Sequence, residues 1–225
     1  MAKAVQPADR RARLDPATIV DAVLKIASEE PGERLTFRRL GEELGTDATA
    51  VYRHFKNREA IMRAALDRLF TVAVSRAAAA STGKPWRARL ESYLQELMET
   101  FIRYPSLGSE AFATDTYGPG ELQAIEFVLQ CLGDAGLSDE RVVHYYAALE
   151  SYTLALGAGI ALEVMRLPDS QGHDPWLSAM VFSRVEDHPL LEKHHAALRK
   201  LDSLGTFQAG LAAILDSAER DGRDG

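Results

Sequence analysis

From Ile19 to Leu215 apolar residues recur three and four positions apart, and no segment sustains an alternation of period two. The first spacing puts apolar side chains on one face of a 3.6-residue helix, whereas a half-buried strand needs the second. The chain is therefore expected to be all-α, with its helices divided by proline and glycine. Asp15-Pro16 supplies an N-cap and a first helical residue. Ile19, Val20, Val23, Ile26 and Ala27 carry that helix to about Glu30, where Pro31-Gly32 stops it. Thr36 caps a second, short helix with Phe37, Leu40 and Leu44 on one face, and Gly45 stands where a left-handed residue closes a helix. A third starts at Thr46 or Asp47 and ends near His54 or Phe55, and Asn57 caps a fourth that runs to about Ala80.

Further helices are expected over about 86–104, 119–135 and 138–166, with 105–120 largely irregular. The helix over 138–166 would be about 40 Å long. A polar loop at 168–175 leads to short helices at about 176–186 and 189–201, then to an amphipathic helix at about 204–219. Four regions follow: a flexible basic arm, 1–14, with Arg10, Arg11 and Arg13; a DNA-reading head, 15–62; a helical body, 63–220; and a disordered tail, 221–225.

Composition narrows the function classes. At 46% hydrophobic and 26% charged residues the chain has enough apolar side chain for a real core. A single cysteine, Cys131, excludes an intrachain disulfide and argues against a thiolate zinc site. The start lacks an apolar signal region, and no uncharged run reaches the roughly 18 residues of a membrane span. A cytoplasmic protein with no membrane partner is expected. The net charge of −7 is unevenly spread. Residues 1–63 hold 12 of the 26 basic and 10 of the 33 acidic residues, a net of +2, which leaves −9 for the rest. A mildly basic front on an acidic body suits a head that meets phosphates and a body that avoids them.

The stretch from Thr36 to Phe55 has the size and punctuation of a helix-turn-helix. At 100° per residue Ala48, Val51 and Phe55 point inward toward Leu40 and Leu44, with Tyr52 at the flank. Thr46, Thr49, Ala50 and Arg53 point outward, forming the small polar face that a helix entering a groove about 12 Å wide requires. Arg53 suits a guanine edge or a phosphate, and Thr49 and Ala50 suit a thymine methyl. Tyr52, His54 and Lys56 stand at the junction with the next helix, where hydroxyl, imidazole and ammonium groups can hold phosphate oxygens. Thr36 and Arg38 or Arg39 open the second helix in the same manner.

The stretch LTFRRLGEELGTDATAVYRHFKNREAIMRAAL resembles the N-terminal domain of the TetR family of bacterial transcriptional repressors. The likeness rests on the leading helix Ile19–Ala27, Thr36 followed by basic residues, Leu44-Gly45, Tyr52-Arg53-His54-Phe55 and Lys56-Asn57-Arg58-Glu59, and it covers about residues 15–70. It implies that Tyr52, His54 and Lys56 contact the DNA backbone while the exposed face of the third helix reads bases. It also implies a homodimer on a near-palindromic operator, released when a small molecule binds the C-terminal domain. The third helix is poor in Asn, Gln and Lys, so readout leans on methyl contacts and DNA shape.

The body must then dimerise and sense. The helix over 138–166 carries Tyr152, Leu156 and Ile160 among small residues, and the last helix carries Phe207, Leu211 and Ile214 in the same way. Small residues let helix axes approach closely, so these two helices are expected to form a four-helix dimer interface. Candidates for an effector pocket are Phe101, Tyr104, Phe112, Tyr117, Phe127, Cys131, Tyr145, Met165 and Trp176, several of which flank the irregular 105–120 segment. The effector is expected to be a small apolar or amphipathic molecule. No nucleophile–base pair, phosphate loop or metal constellation stands out, so no catalysis, cofactor or metal is expected. The competing readings are a small helical enzyme or carrier that uses the same cavity, and an activator of the same architecture.

Overall fold

The computed structural model describes residues 14–32, 35–167, 169 and 187–223. Among them the chain is helical and holds no strand, as the periodicity requires. Helix α1 (Pro16–Glu29) opens on the expected cap, with the Asp15 carboxylate accepting from the Thr18 N–H at 2.8 Å and Pro16 at the first position. It buries Ile19, Val20, Val23 and Ile26 against α4 (Arg58–Ala80) and α2 (Phe37–Glu43). The short α3 (Ala48–Tyr52) completes the head and stops two to three residues before the expected end. Of the expected arm, residues 1–13 lie outside the described residues, and Leu14 packs against the core.

Helix α4 is continuous from head to body, so the boundary expected at 62/63 falls inside it. Its Ile61, Met62, Leu66, Leu69 and Phe70 are buried where α1, α5 (Trp86–Arg103) and α7 (Pro119–Gly133) pack on it. The connection expected to be irregular contains one turn of helix, α6 (Pro105–Gly108), and a 3₁₀ turn over Ala111–Ala113. Helix α8 (Asp139–Arg166) then crosses α5, α6 and α7. The short α9 (Pro189–Leu198) buries no side chain. The last helix, α10 (Ser203–Arg223), lies along α8 and extends through residues 221–223, where a disordered tail was expected. The polar loop and short helix expected between 168 and 186 lie outside the described residues, Asp169 excepted.

Helix α8 reaches spanning length although no uncharged run in it does. By length and composition alone it is apolar enough to cross a membrane, with Glu150 the one charged residue between Arg141 and Glu163. A third of its most apolar window is buried within the chain, and Ala155, Gly159 and Leu162 of the helix are exposed.

Candidate nucleic-acid interface and effector cavity

The head is built by local hydrogen bonds that the sequence dictates. Thr36 Oγ1 accepts from the Arg39 N–H at 3.1 Å and starts α2. Gly45, at φ 61°, turns the chain through the left-handed region that side chains with a Cβ avoid. The Thr46 N–H then donates back to the Gly41 carbonyl at 2.9 Å. A Cβ at Gly41 would stand 2.8 Å from Thr46 O, so this turn can close only on glycine. Asp47 caps α3 by accepting from the Thr49 N–H at 2.7 Å, and its hydrogen bonds with Thr49 hold its carboxyl below the usual range. The capping residue is thus Asp47, with Thr46 in the turn.

Leu40 and Val51 are fully buried and Phe55 nearly so, which fixes the rotation of α3. Thr46, Thr49 and Arg53 are exposed and Ala50 is half-exposed, on the outward face. Tyr52 lies flat on Phe37, with ring centroids 3.9 Å apart and planes 3° from parallel. That stack pins the ring between α2 and α3 while 54% of its surface stays open. His54 and Lys56 are exposed in the turn before α4, whose cap is Asn57 accepting from Ala60 N–H at 2.9 Å. Among the described residues no salt bridge engages Arg53, His54 or Lys56.

The structure separates two arginines that the sequence left equivalent. Arg39 reaches Glu30 at 2.6 Å and Glu43 at 3.2 Å, and Lys25 meets Glu43 at 2.6 Å. This network stitches α1 to α2, and the hydrogen bond to Glu30 raises the Arg39 pKa further. Arg38 has a side chain 88% exposed and touches only Glu42, at 3.7 Å, a surface contact worth little. Arg38 is therefore the guanidinium that α2 presents outward.

Behind the head, a cavity of about 70 Å³ opens between α5, α7 and α8, with Phe70 of α4 and the Ala111–Asp115 segment completing its wall. Tyr93, Leu94 and Leu97 come from α5, Glu121, Ala124 and Val128 from α7, and Tyr146, Leu149, Glu150 and Thr153 from α8. It has room for several waters and less than a drug-sized molecule occupies, so a larger guest must move its walls. One of those walls is tied to α4. Glu121 accepts from the Thr116 N–H at 2.9 Å, the Thr116 hydroxyl at 2.8 Å and the Tyr117 N–H at 2.7 Å. The Glu121 N–H donates in turn to Asp67 of α4 at 3.0 Å, and the Thr116 hydroxyl lies 3.1 Å from the same carboxylate, its one proton shared between Glu121 and Asp67. These bonds hold Tyr117 at φ 54°, a conformation that a non-glycine residue adopts only when its surroundings enforce it.

Of the eight pocket candidates among the described residues only Phe112 lines this cavity. Phe101 is sealed in the core, where Gly108 and Gly157 make room for it. Tyr104 is the half-buried C-cap of α5, and Tyr117 is exposed beneath Arg63, whose guanidinium lies 5.6 Å from its ring. Phe127 packs behind the wall, 5.6 Å from Tyr93, and Cys131 is buried in the core with its thiol pushed up to about 11 by burial. The Tyr145 hydroxyl is occupied by Asp221 at 2.6 Å and Ser217 at 3.0 Å. Met165 is half-buried near the end of α8, and Trp176 lies outside the described residues.

The dimer candidates divide as well. Ile160, Phe207 and Leu211 are buried within one subunit, and α10 packs on α8. Tyr152 stacks on Phe207 and donates to the Thr206 carbonyl at 3.0 Å, which leaves it half-buried with Leu156 and Ile214. The surface left open is made of their small neighbours: Ala155, Gly159 and Leu162 on α8, and Ala209, Ala212 and Ala213 on α10. One signal for the cavity was legible in the sequence: Thr153 and Glu150 interrupt the buried stripe Leu149, Gly157, Ile160, Val164 of α8.

Fold and face together define an all-helical, DNA-binding transcriptional regulator with a helix-turn-helix head on a helical body. The chain belongs to the tetR family of bacterial regulatory proteins: residues 19–65 match that family's model, and residues 79–220 match the tetracyclin repressor-like C-terminal domain. It is 27% identical to an HTH-type transcriptional regulator of Saccharopolyspora erythraea, over 77% of this chain and 71% of that one. It is 26% identical to the tetracycline repressor protein class A from transposon 1721 of Escherichia coli, over 91% of this chain and 90% of that one. A transcriptional regulator from Streptomyces coelicolor A3(2), solved by crystallography, superposes with a TM-score of 0.74 at 26% identity, covering 92% and 98% of the two chains.

Proposed function

We propose that this regulator is a cytoplasmic homodimeric repressor that binds a near-palindromic DNA operator and leaves it when a small molecule enters the body cavity. The observation that carries the reading is the exposed cluster Tyr52, Arg53, His54 and Lys56, set beside an outward face of Thr46, Thr49 and Ala50. A packing unit has no use for an open phenol, guanidinium, imidazole and ammonium at one helix junction, whereas a phosphate backbone does. Tyr52, His54 and Lys56 hold phosphates, as do Thr36 and Arg38 at the start of α2. Arg53, Thr49 and Ala50 reach base edges. The repressor named among its relatives supports the sign of regulation.

Two copies meet through the uncovered small residues of α8 and α10. Close approach there buries the apolar surface that a single subunit leaves open. The two α3 helices then stand about one DNA turn apart, roughly 34–36 Å. Release follows from shared parts. A guest that swells the cavity pushes on Glu121, and the Glu121–Thr116–Asp67 hydrogen bonds connect that push to α4. Because α4 begins directly behind the recognition helix, its displacement changes the spacing of the two heads. The test is titration against a pool of random duplexes at two salt concentrations, with sequencing of what is retained. A palindromic consensus with steep salt dependence is expected; weak binding without a consensus overturns the reading.

A further inference from the structure

The cavity has a one-sided chemistry. Asp115, Glu121 and Glu150 bring three carboxylates to its wall, and among the described residues no lysine, arginine or histidine lines it. Among the described residues none of these carboxylates is in a salt bridge. The hydrogen-bond partners of two of them are neutral: Asp115 accepts from the Tyr117 hydroxyl at 3.2 Å, and Glu121 from Thr116 and Tyr117. Neutral donors leave the negative charge itself uncompensated, and a half-enclosed wall screens it less than water does. Thr153 supplies an independent sign of a missing guest: the residue is 1% exposed and lies in the same wall, and its buried hydroxyl has no hydrogen-bond partner. A buried unpaired hydroxyl is costly unless something meets it.

The shape of the charge selects the kind of cation. No three His, Cys, Asp or Glu side chains among the described residues stand close enough to share a metal ion, so the carboxylates are spread rather than convergent. Between them lie the rings of Phe70, Tyr93, Phe112 and Tyr146, whose faces attract a delocalised positive charge. Burial, followed by the hydrogen bond to Glu150, holds the Tyr146 hydroxyl in its protonated form. We propose that the effector is an organic cation with an aromatic body, its charge set between Glu121 and Glu150 and its polar edge meeting the Thr153 hydroxyl. This rests on the reading of the cavity as the effector site.

The experiment uses the full chain without DNA and three flat fluorescent dyes: rhodamine 6G, a cation; Nile red, neutral; and fluorescein, an anion. Fluorescence anisotropy is expected to rank rhodamine 6G about tenfold or more tighter than Nile red, with fluorescein unbound. Glu150→Gln is expected to cost rhodamine 6G about tenfold while leaving Nile red unchanged, which also shows that the variant is folded. Thr153→Val is expected to cost a smaller factor, about threefold. Failure of rhodamine 6G to bind, equal affinity for Nile red, or indifference to both Glu150→Gln and Glu121→Gln overturns the proposal. A duplex shift assay on the same protein separates the two readings. Cation binding without duplex binding removes the repressor and keeps the cation site, and operator release by Nile red alone does the reverse.

Discussion

Glycine 120 is the contact on which α7 rests against α4, and Gly120→Ala is the substitution that tests it. It lies buried in the first turn of α7, and a Cβ there would overlap the main-chain carbonyl of Asp67 and come within 2.5 Å of Thr71 Oγ1. Backbone cannot swing aside as a flexible side chain does, so the helix start must lift. Overpacking of this kind costs about 1–3 kcal/mol. Lifting α7 also strains the hydrogen bonds that Glu121 N–H and Thr116 make to Asp67, worth about 1 kcal/mol or less each. A total of roughly 2–4 kcal/mol corresponds to a fall in Tm of about 5–15 °C for a chain of this size. The variant should still fold at room temperature, since domains commonly hold about 5–15 kcal/mol. The assay is thermal unfolding followed by circular dichroism, with Gly133→Ala as the internal control. Gly133 ends the same helix, and a Cβ there meets nothing within 4 Å. That change is expected to be neutral or to stabilise by up to about 1 kcal/mol, because alanine loses less entropy in a helix. Equal effects from the two, or no fall in Tm with Gly120→Ala, would refute the claim that α7 is seated on the α4 backbone.

Lys56→Ala is expected to weaken duplex binding across all sequences and to reduce the slope of log affinity against log salt by about one, read from titrations at several salt concentrations. An unchanged slope removes Lys56 from the phosphate contacts. Leu162→Glu and Ala212→Glu each place a charge on the uncovered face of α8 or α10 and are expected to shift sedimentation toward monomer without loss of helicity. Cys131, buried and with its pKa pushed up to about 11, should resist iodoacetamide at pH 8 in the folded protein and react fully in urea. The hydrogen bond from Lys25, with Arg39 adding to it, holds the Glu43 carboxyl below its ordinary value of 4.5. Its folded pKa is thus depressed, so the stability it contributes is complete above 4.5 and is lost as the pH falls through the lower value. Glu43→Gln should flatten acid unfolding in that window, which an acid titration followed by circular dichroism would show.

The head was legible in the sequence because its determinants are local. Asp15, Thr36, Asp47 and Asn57 cap helices within three residues of themselves, and Gly45 closes a turn through its own backbone angle. Periodicity then sufficed to rotate α3, since Leu40, Val51 and Phe55 can be buried together in only one way. What it left open was which arginine faces outward. Arg38 and Arg39 are neighbours in sequence, and their difference comes from Glu30, nine positions away on another helix.

The cavity was not legible for the opposite reason. A stripe at spacing three and four says that a helix face is buried, without saying against which neighbour. Phe101, Phe127 and Cys131 all sit on such stripes, and all three are packed against other side chains instead of open space. Ile160, Phe207 and Leu211, read as dimer candidates, are likewise buried within one subunit. What remains for a partner is the less apolar face, with Ala155, Gly159, Ala209 and Ala212. The more informative residue in a helical body is therefore the one that breaks its stripe. Thr153 sits where α8 would bury an aliphatic side chain, and its hydroxyl is sealed from solvent with nothing to bond. Burying such a group costs free energy that a valine of the same shape would avoid. That cost is offset when a water or a guest in the cavity supplies the missing partner, and so a polar residue out of pattern points to the cavity where Phe101, Phe127 and Cys131 do not.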